Sequence, residues 1–565
     1  MTFVRWALPT FAAFALSAPG AFAETSAKFA APPSPAPGVD TVALADVGVP
    51  RPAGEPCVVT LFGPRQFAGV DPVAFDYAPP QACSGPWAKV VFEADFDVTA
   101  GRQFDRTAII DVGGVNLYYG STMEPRRTIA PAWRVERDVT DYAALLAKPS
   151  GGQALIANVV NETYTGRLTV GARLLFYPAT KDEAAAGTRP GMVLPISGGP
   201  AKLTRDQPRL ARDVVLPANL ERLALDVLAQ GQSNDEFWYT CAPDALASAK
   251  DDRCGGGAFR EAEVFVDGQR AGFAPLFPWI FTGGINPYLW FPTPAPETLN
   301  FSPSRIDLTP FVGLVNDGKP HRIEVGVVGA RDYYLVTASL LVWQDEGATA
   351  TRGTLLSNTL AAPEPRIDAR GARIVDNRLV GRVDTSAKRS GRLSGVVETS
   401  RGKVTTTVDY AVSFSNRQDY GADATGEVWN LKQSTRAETT VRRRDARGVT
   451  TWRETLDYPF MATTRDKVTP TGSDQSVALD LTLNRATREV GLDGRVWSRR
   501  LSNRVTPTAT GRLDKTARRF VDASGSSVQR YKLEDSALGC YARVITIEKN
   551  VVVSSQDAIG SACSR

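Results

Sequence analysis

Phe259-Arg260-Glu261, the strand Val264-Phe265-Val266 and the turn Asp267-Gly268 lead into Pro275-Leu276-Phe277-Pro278-Trp279-Ile280-Phe281-Thr282-Gly283-Gly284-Ile285-Asn286-Pro287-Tyr288-Leu289-Trp290. Arg305-Ile306-Asp307-Leu308-Thr309-Pro310-Phe311 then closes the stretch. Prolines and paired glycines recur too often here for a helix interior or a central strand. What remains is a strand, a tight turn and a long rigid loop carrying two tryptophans, a tyrosine and two phenylalanines. Large rings on a rigid loop suit stacking on a flat apolar face while polar groups fix orientation.

The same strand-and-turn grammar extends in both directions. Leu168, Val170, Ala172, Leu174 and Phe176 alternate with Arg167, Thr169, Gly171 and Arg173, as a half-buried strand does. Ile323-Val325-Val327, the run Val404 to Phe414 and the run Val477 to Leu483 repeat the period of two. Helical periodicity is confined to Thr140–Leu146, with Thr140 or Asp141 as its cap. Leu220–Leu228 fits strand or helix. The chain is therefore expected to be all-β.

At 565 residues it is too long for one domain. Residues 1–23 read as an export signal, with Arg5, an apolar run and the Ala21-Phe22-Ala23 cleavage pattern. Residues 24–54 read as a disordered Pro/Ala-rich tether. Shifts in composition give units at 55–190, 205–346 and 366–565; the similar size of the first two suggests a pair of eight-stranded jelly-roll sandwiches beside a C-terminal β domain. No later segment approaches about 18 uninterrupted apolar residues, so no membrane span is expected once the signal is gone.

The formal charge is +4 with acids and bases nearly balanced, which leaves no nucleic-acid footprint. Arg442-Arg443-Arg444 is read as a solvated surface cluster. Six cysteines in an exported chain suggest disulfides, and the simplest pairing is local: Cys57 with Cys83, Cys241 with Cys254, Cys540 with Cys563. Scattered cysteines and a single histidine, His321, make a poor zinc set. His321 lies in a polar turn before a strand, so any proton transfer falls to carboxylates. No metal or organic cofactor is called for.

The quoted stretch, from Phe-Arg-Glu through Thr-Gly-Gly-Ile-Asn-Pro-Tyr-Leu-Trp to Ile-Asp-Leu-Thr-Pro-Phe, resembles the signature of the plant-type peptide:N-glycosidases, the amidase A family. Gly101-Arg102-Gln103-Phe104-Asp105-Arg106 and the segment Trp133 to Tyr142 resemble the same family. More distantly, Phe104-Asp105-Arg106 resembles the aromatic-Asp-Arg triplet of the bacterial F-type enzymes, which are built from two adjacent jelly rolls. There the aspartate is catalytic, so the resemblance assigns catalysis to Asp105 and a neighbouring charge to Arg106, with Phe104 where the F-type enzymes have tryptophan. Only Gly539 to Arg543 carries a faint likeness in the C-terminal unit.

The implied activity is hydrolysis of the amide between asparagine and the innermost N-acetylglucosamine of an N-glycopeptide or N-glycoprotein, by a monomer outside the cytosol. Amide hydrolysis needs a base for water, donors for the oxyanion and an acid for the departing nitrogen. Asp105 is the expected base. The second carboxylate is Glu236 or Glu261, with Glu124 a further candidate, because Gly255-Gly256-Gly257 stands where the F-type pattern has its glutamate. Alternation puts Glu261 and Glu263 on one strand face and Arg260 on the other. Expected substrate contacts are Arg106, Asn158, Trp238, Arg260, Trp279, Thr282, Tyr288 and Trp290. A non-catalytic glycan binder and a glycoside hydrolase with two carboxylates remain as rival readings.

Overall fold

The computed structural model describes residues 29, 31–180, 189–247, 254–514, 516 and 519–564. The expected export signal lies outside them. Among the described residues no helix is long and apolar enough to cross a membrane.

Two four-stranded antiparallel sheets form the first unit. One runs Cys57–Phe67, Leu168–Pro178, Trp87–Val98, Ala132–Asp138; the other runs Val73–Tyr77, Ser150–Ile156, Thr107–Val112, Val115–Ser121. Numbered along the chain, the orders are 1-8-3-6 and 2-7-4-5, the winding of a jelly roll. The second unit repeats it. Ala201–Thr204, Tyr333–Gln344, Leu220–Gln232 and Ser304–Asp307 face Arg209–Val215, Pro320–Val328, Glu261–Val266 and Gln269–Pro275. Leu220–Leu228 is thus strand. Its burial is nearly continuous, as for a strand covered on both faces, and this is why periodicity did not decide it. The expected helical piece, Thr140–Leu146, is a 3-10 turn followed by one α turn. Neither expected cap acts. Asp138 Oδ1 instead accepts the Thr140 N–H at 3.0 Å.

Strand pairing moves two boundaries. Met192–Pro195 and Ala201–Thr204 both pair with Tyr333–Gln344, so the second unit starts before residue 205. Arg352–Asn358 pairs with Arg378–Thr399, so the third starts before residue 366.

The third unit is one 12-stranded antiparallel sheet whose seven central strands are 17 to 22 residues long. Its two faces differ in kind. The inner face lies on the second jelly roll: Phe414 packs on Phe259 at 5.4 Å, Tyr410 on Phe273 at 4.9 Å, Tyr458 on Phe277 at 5.0 Å and Phe460 on Tyr239 at 5.1 Å. The outer face carries rungs of opposite charge, including Arg382–Asp419, Arg417–Asp384 and Arg436–Asp457, and the diagonal pair Arg504–Asp480. Opposite charges directly across a ladder are favourable neighbours, which suits so long a sheet to water on that side.

The expected tether is ordered over residues 31–54. It lies as a strap along the edge of the third sheet, where Gly38 N–H donates to Val552 O at 2.9 Å and Val552 N–H to Val39 O at 2.8 Å. The fully buried guanidinium of Arg543 donates to Pro32 O at 2.7 Å and Leu44 O at 3.1 Å. Ala43 and Ala45 are buried there. The strap then crosses to the first jelly roll, where Arg51 pairs with Glu93 and Glu136. Pro and Ala content suggested disorder; carbonyls collected by one arginine override it.

Disulfides join Cys57 to Cys83, Cys241 to Cys254 and Cys540 to Cys563. His321 sits at its strand start between Asp267 and Asp317, at 2.7 and 2.9 Å.

Candidate active site

The seam between the jelly rolls gathers three carboxyls from three segments. Asp105 lies just before Thr107–Val112, and Glu124 follows Val115–Ser121. Glu236 ends the turn Ser233–Asp235 after Leu220–Gln232 of the second jelly roll. The seam itself is stitched by Gln232, whose amide donates to Thr107 Oγ1 at 2.9 Å.

The loop 275–300 supplies the fourth part. Thr282 is buried, its hydroxyl donating to Thr122 O and accepting the Glu124 N–H, both at 2.9 Å. Beside it, Gly283 N–H donates to Asp105 Oδ2 at 2.5 Å. A side chain at Gly283 would run into Glu124 Oε2 and come within 3.1 Å of Asp105 Oδ2, so only glycine lets the two carboxyls approach this turn.

Burial pushes Asp105 up to about 6, opposed by the Gly283 hydrogen bond and by Arg106. Burial and then the charge of Asp105 push Glu124 and Glu236 each up to about 8. Like charges sharing a site cannot all ionise together. At neutral pH the arrangement therefore holds one carboxylate, Asp105, and protonated glutamic acids. The Glu124 carboxyl accepts the Asp105 N–H. Glu236 is half-buried, and no hydrogen bond engages its carboxyl among the described residues.

Arg106 is locked in place through its backbone, its N–H donating to Thr122 Oγ1 and its carbonyl accepting Thr122 N–H, both at 2.9 Å. Its guanidinium donates to Gln103 Oε1 at 2.6 Å, and among the described residues no carboxylate lies within ion-pair distance of it. That leaves donors for a bound anion or oxyanion. Phe104 is 46% exposed and sits 5.3 Å from Tyr164, with Arg106 over one ring and Arg102 over the other.

Several expected contacts lie elsewhere. Glu261 is fully buried against Arg389 of the third sheet, an ion pair that also takes in Glu263 at 2.8 Å, so it is not the second carboxylate. Alternation had the face right; the third sheet covers it. Arg260 is buried against Asp235 at 3.1 Å, and Asp235 also accepts the Arg331 and Asp332 N–H groups at 2.8 Å. Arg260 therefore braces the turn bearing Glu236 and offers nothing to a substrate. The Asn158 amide is buried on Phe67 O at 3.0 Å. Trp238, Trp279 and Trp290 are 4, 8 and 0% exposed, with Trp279 on Phe301 and Trp290 bonded to Gly284 O. No ring face of these three is open. Tyr288 is half-buried against Phe520 of the third sheet. Of the loop, only the Thr282-Gly283 turn reaches the carboxyls. The exposed ring of Phe104 and the half-buried ring of Tyr164 were not expected as contacts; the aromatic in the Phe-Asp-Arg triplet was the available signal.

The sequence pattern described as "Peptide N-acetyl-beta-D-glucosaminyl asparaginase amidase A" matches residues 52–361. The chain belongs to this family. The pattern of the amidase A C-terminal domain matches residues 382–460, within the long sheet. Over 388 residues the chain is 32% identical to peptide-N4-(N-acetyl-beta-glucosaminyl)asparagine amidase A of Prunus dulcis. That match takes in 64% of this chain and 66% of the relative, so the chain spans just under two thirds of the Prunus dulcis protein's length. Among solved structures, peptide:N-glycanase F is 14% identical with a TM-score of 0.34, covering 52% of this chain and 96% of that one. PNGF-II is 12% identical with a TM-score of 0.35, covering 51% and 66%.

Proposed function

We propose that this amidase A family member hydrolyses the side-chain amide of glycosylated asparagine, turning it into aspartate and releasing the glycan as a glycosylamine. The observation that carries the reading is the three-carboxyl cluster in which Asp105, held by Gly283 N–H, lies beside Glu124 and Glu236, both raised to about 8 by burial and by the charge of Asp105. Asp105 takes a proton from water as the water oxygen bonds to the amide carbon. The developing oxyanion faces Arg106. Glu236, whose carboxyl no hydrogen bond engages among the described residues, gives its proton to the departing nitrogen as the C–N bond breaks. Glu124 stays neutral and steadies the Asp105 backbone. The glycosylamine then loses ammonia in water. One chain supplies every group, so a monomer suffices, and three disulfides suit an oxidising compartment outside the cytosol.

The test is a synthetic N-glycopeptide digested in ¹⁸O-water. Label in a new aspartate supports the amidase. Label in a released sugar with asparagine retained identifies a glycoside hydrolase, and binding without a product identifies a lectin.

The pH profile follows from the cluster. The base works above about 6, where Asp105 is ionised, and the acid works below about 8, where Glu236 keeps its proton. The rate is expected to be bell-shaped with its maximum between them. A profile still rising at alkaline pH would remove Glu236 from the acid's role.

Phe104 and Tyr164 are proposed as the apolar platform for the sugar next to the scissile bond. Phe104→Ala is expected to raise KM by about tenfold while kcat and Tm hold. An unchanged KM would leave that ring without a part in binding.

A further inference from the structure

Two separate contacts from the third sheet converge on the loop that aims Gly283. The Asn286 amide donates to Gln475 Oε1 at 2.7 Å, and Gln475 is itself held by Asp466 at 3.2 Å. Asn286 N–H donates to Gly284 O at 2.7 Å, and Gly284 N–H to Phe281 O at 2.9 Å, which closes the turn around Thr282 and Gly283. Between them Ile285 is at φ 64°, a conformation a β-branched residue keeps only where its surroundings over-determine it. The second contact is Asn550, whose amide donates to Tyr288 O at 2.8 Å and Phe291 O at 3.0 Å. Asn550 is oriented by Gly525 N–H at 2.8 Å, and a side chain on Gly525 would collide with Tyr288 O.

We propose that the C-terminal sheet is a positioning part of the catalytic apparatus: through Gln475 and Asn550 it holds the loop that points Gly283 N–H at Asp105. The proposal rests on Asp105 being the base. Among the described residues nothing from the sheet touches the carboxyls themselves, so the influence of Gln475 and Asn550 on Asp105 passes through the Gly283 hydrogen bond. The charged groups facing Asp105 are Arg106 from its own segment, Glu124 from the loop after Val115–Ser121 and Glu236 from the second jelly roll. None of them is on the sheet. Loosening the turn therefore leaves the charges in place and removes the donor that favours the ionised carboxyl.

The experiment compares full-length Gln475→Leu and Asn550→Ala with wild type, with Arg504→Leu on the outer face of the same sheet as control. Expected for both is a kcat lower by about tenfold or more at unchanged KM. The acid limb of the profile should move up by about half a pH unit, because Asp105 has lost a donor to its charged form. Carboxyl ¹³C NMR of Asp105 without substrate should show the same rise, while Arg504→Leu shows neither change. A wild-type titration and kcat in folded Gln475→Leu would overturn the proposal, as would a loss of Tm alone. If Asn550→Ala does not fold, Gln475→Leu decides by itself. If the wild-type chain cleaves no N-glycopeptide, the proposed function fails, and the Asp105 titration still decides this point.

Discussion

Asp105→Asn is expected to fold as wild type does and to lose activity by about 10³-fold or more, in the upper range for removing a positioned general base. Asparagine keeps the size of the side chain and an oxygen for Gly283 N–H, so the turn at Thr282-Gly283 survives. It cannot take a proton from water. The exchange also removes the charge that helps hold Glu124 and Glu236 protonated, so both should ionise at lower pH than in wild type. Two measurements check this: single-turnover cleavage of an N-glycopeptide, and carboxyl titration of the two glutamates. Activity within about tenfold of wild type would make Asp105 a structural residue.

Arg389→Leu is expected to destabilise the chain by about 3–5 kcal/mol, the usual consequence of stripping the partner from a buried charge. Glu261 is fully buried and Glu263 nearly so, and Arg389 reaches both from the third sheet, with Ala361 O at 2.6 Å completing its contacts. Glu263 keeps Arg270 at 3.0 Å; among the described residues Glu261 keeps no ion-pair partner. Burial, opposed by Arg389, already raises Glu261 to about 7, above its unfolded value. A carboxyl raised in the folded state destabilises it as pH climbs. The loss in Arg389→Leu is therefore largest above neutrality and shrinks as pH falls and Glu261 takes up a proton. Adding Glu261→Gln should recover part of it. Denaturant unfolding at two pH values is the measurement, and an equal loss at both would contradict the assignment.

How far the sequence could be read depended on where each residue's partner lies. The jelly-roll strands were legible because alternation is local: Leu168 to Phe176 shows its buried face within nine residues. Local information also sufficed for the disulfides. The aromatic loop misled because a rigid Pro/Gly/aromatic segment has the same composition whether it meets a sugar or another sheet. Trp290 belongs to a core that also takes in Val477 and Leu479, more than 180 residues further on, which no window around it contains. Glu261 failed for the same reason, its partner being 128 positions away. Glu124 was visible as an acid before proline, and only the folded chain shows it beside Asp105.

The strap has a consequence for the order of assembly. Pro32 is gathered by Arg543, 511 positions later, so the strap is synthesised long before the strands it binds. Contacts of such long range form late and slowly. Until the hairpin 539–559 exists the strap has no seat there, and until the strap docks, the strand Val551–Ile559 has an open hydrogen-bonding edge that a second chain could join. That edge is closed against such misassociation only once strap and strand have met.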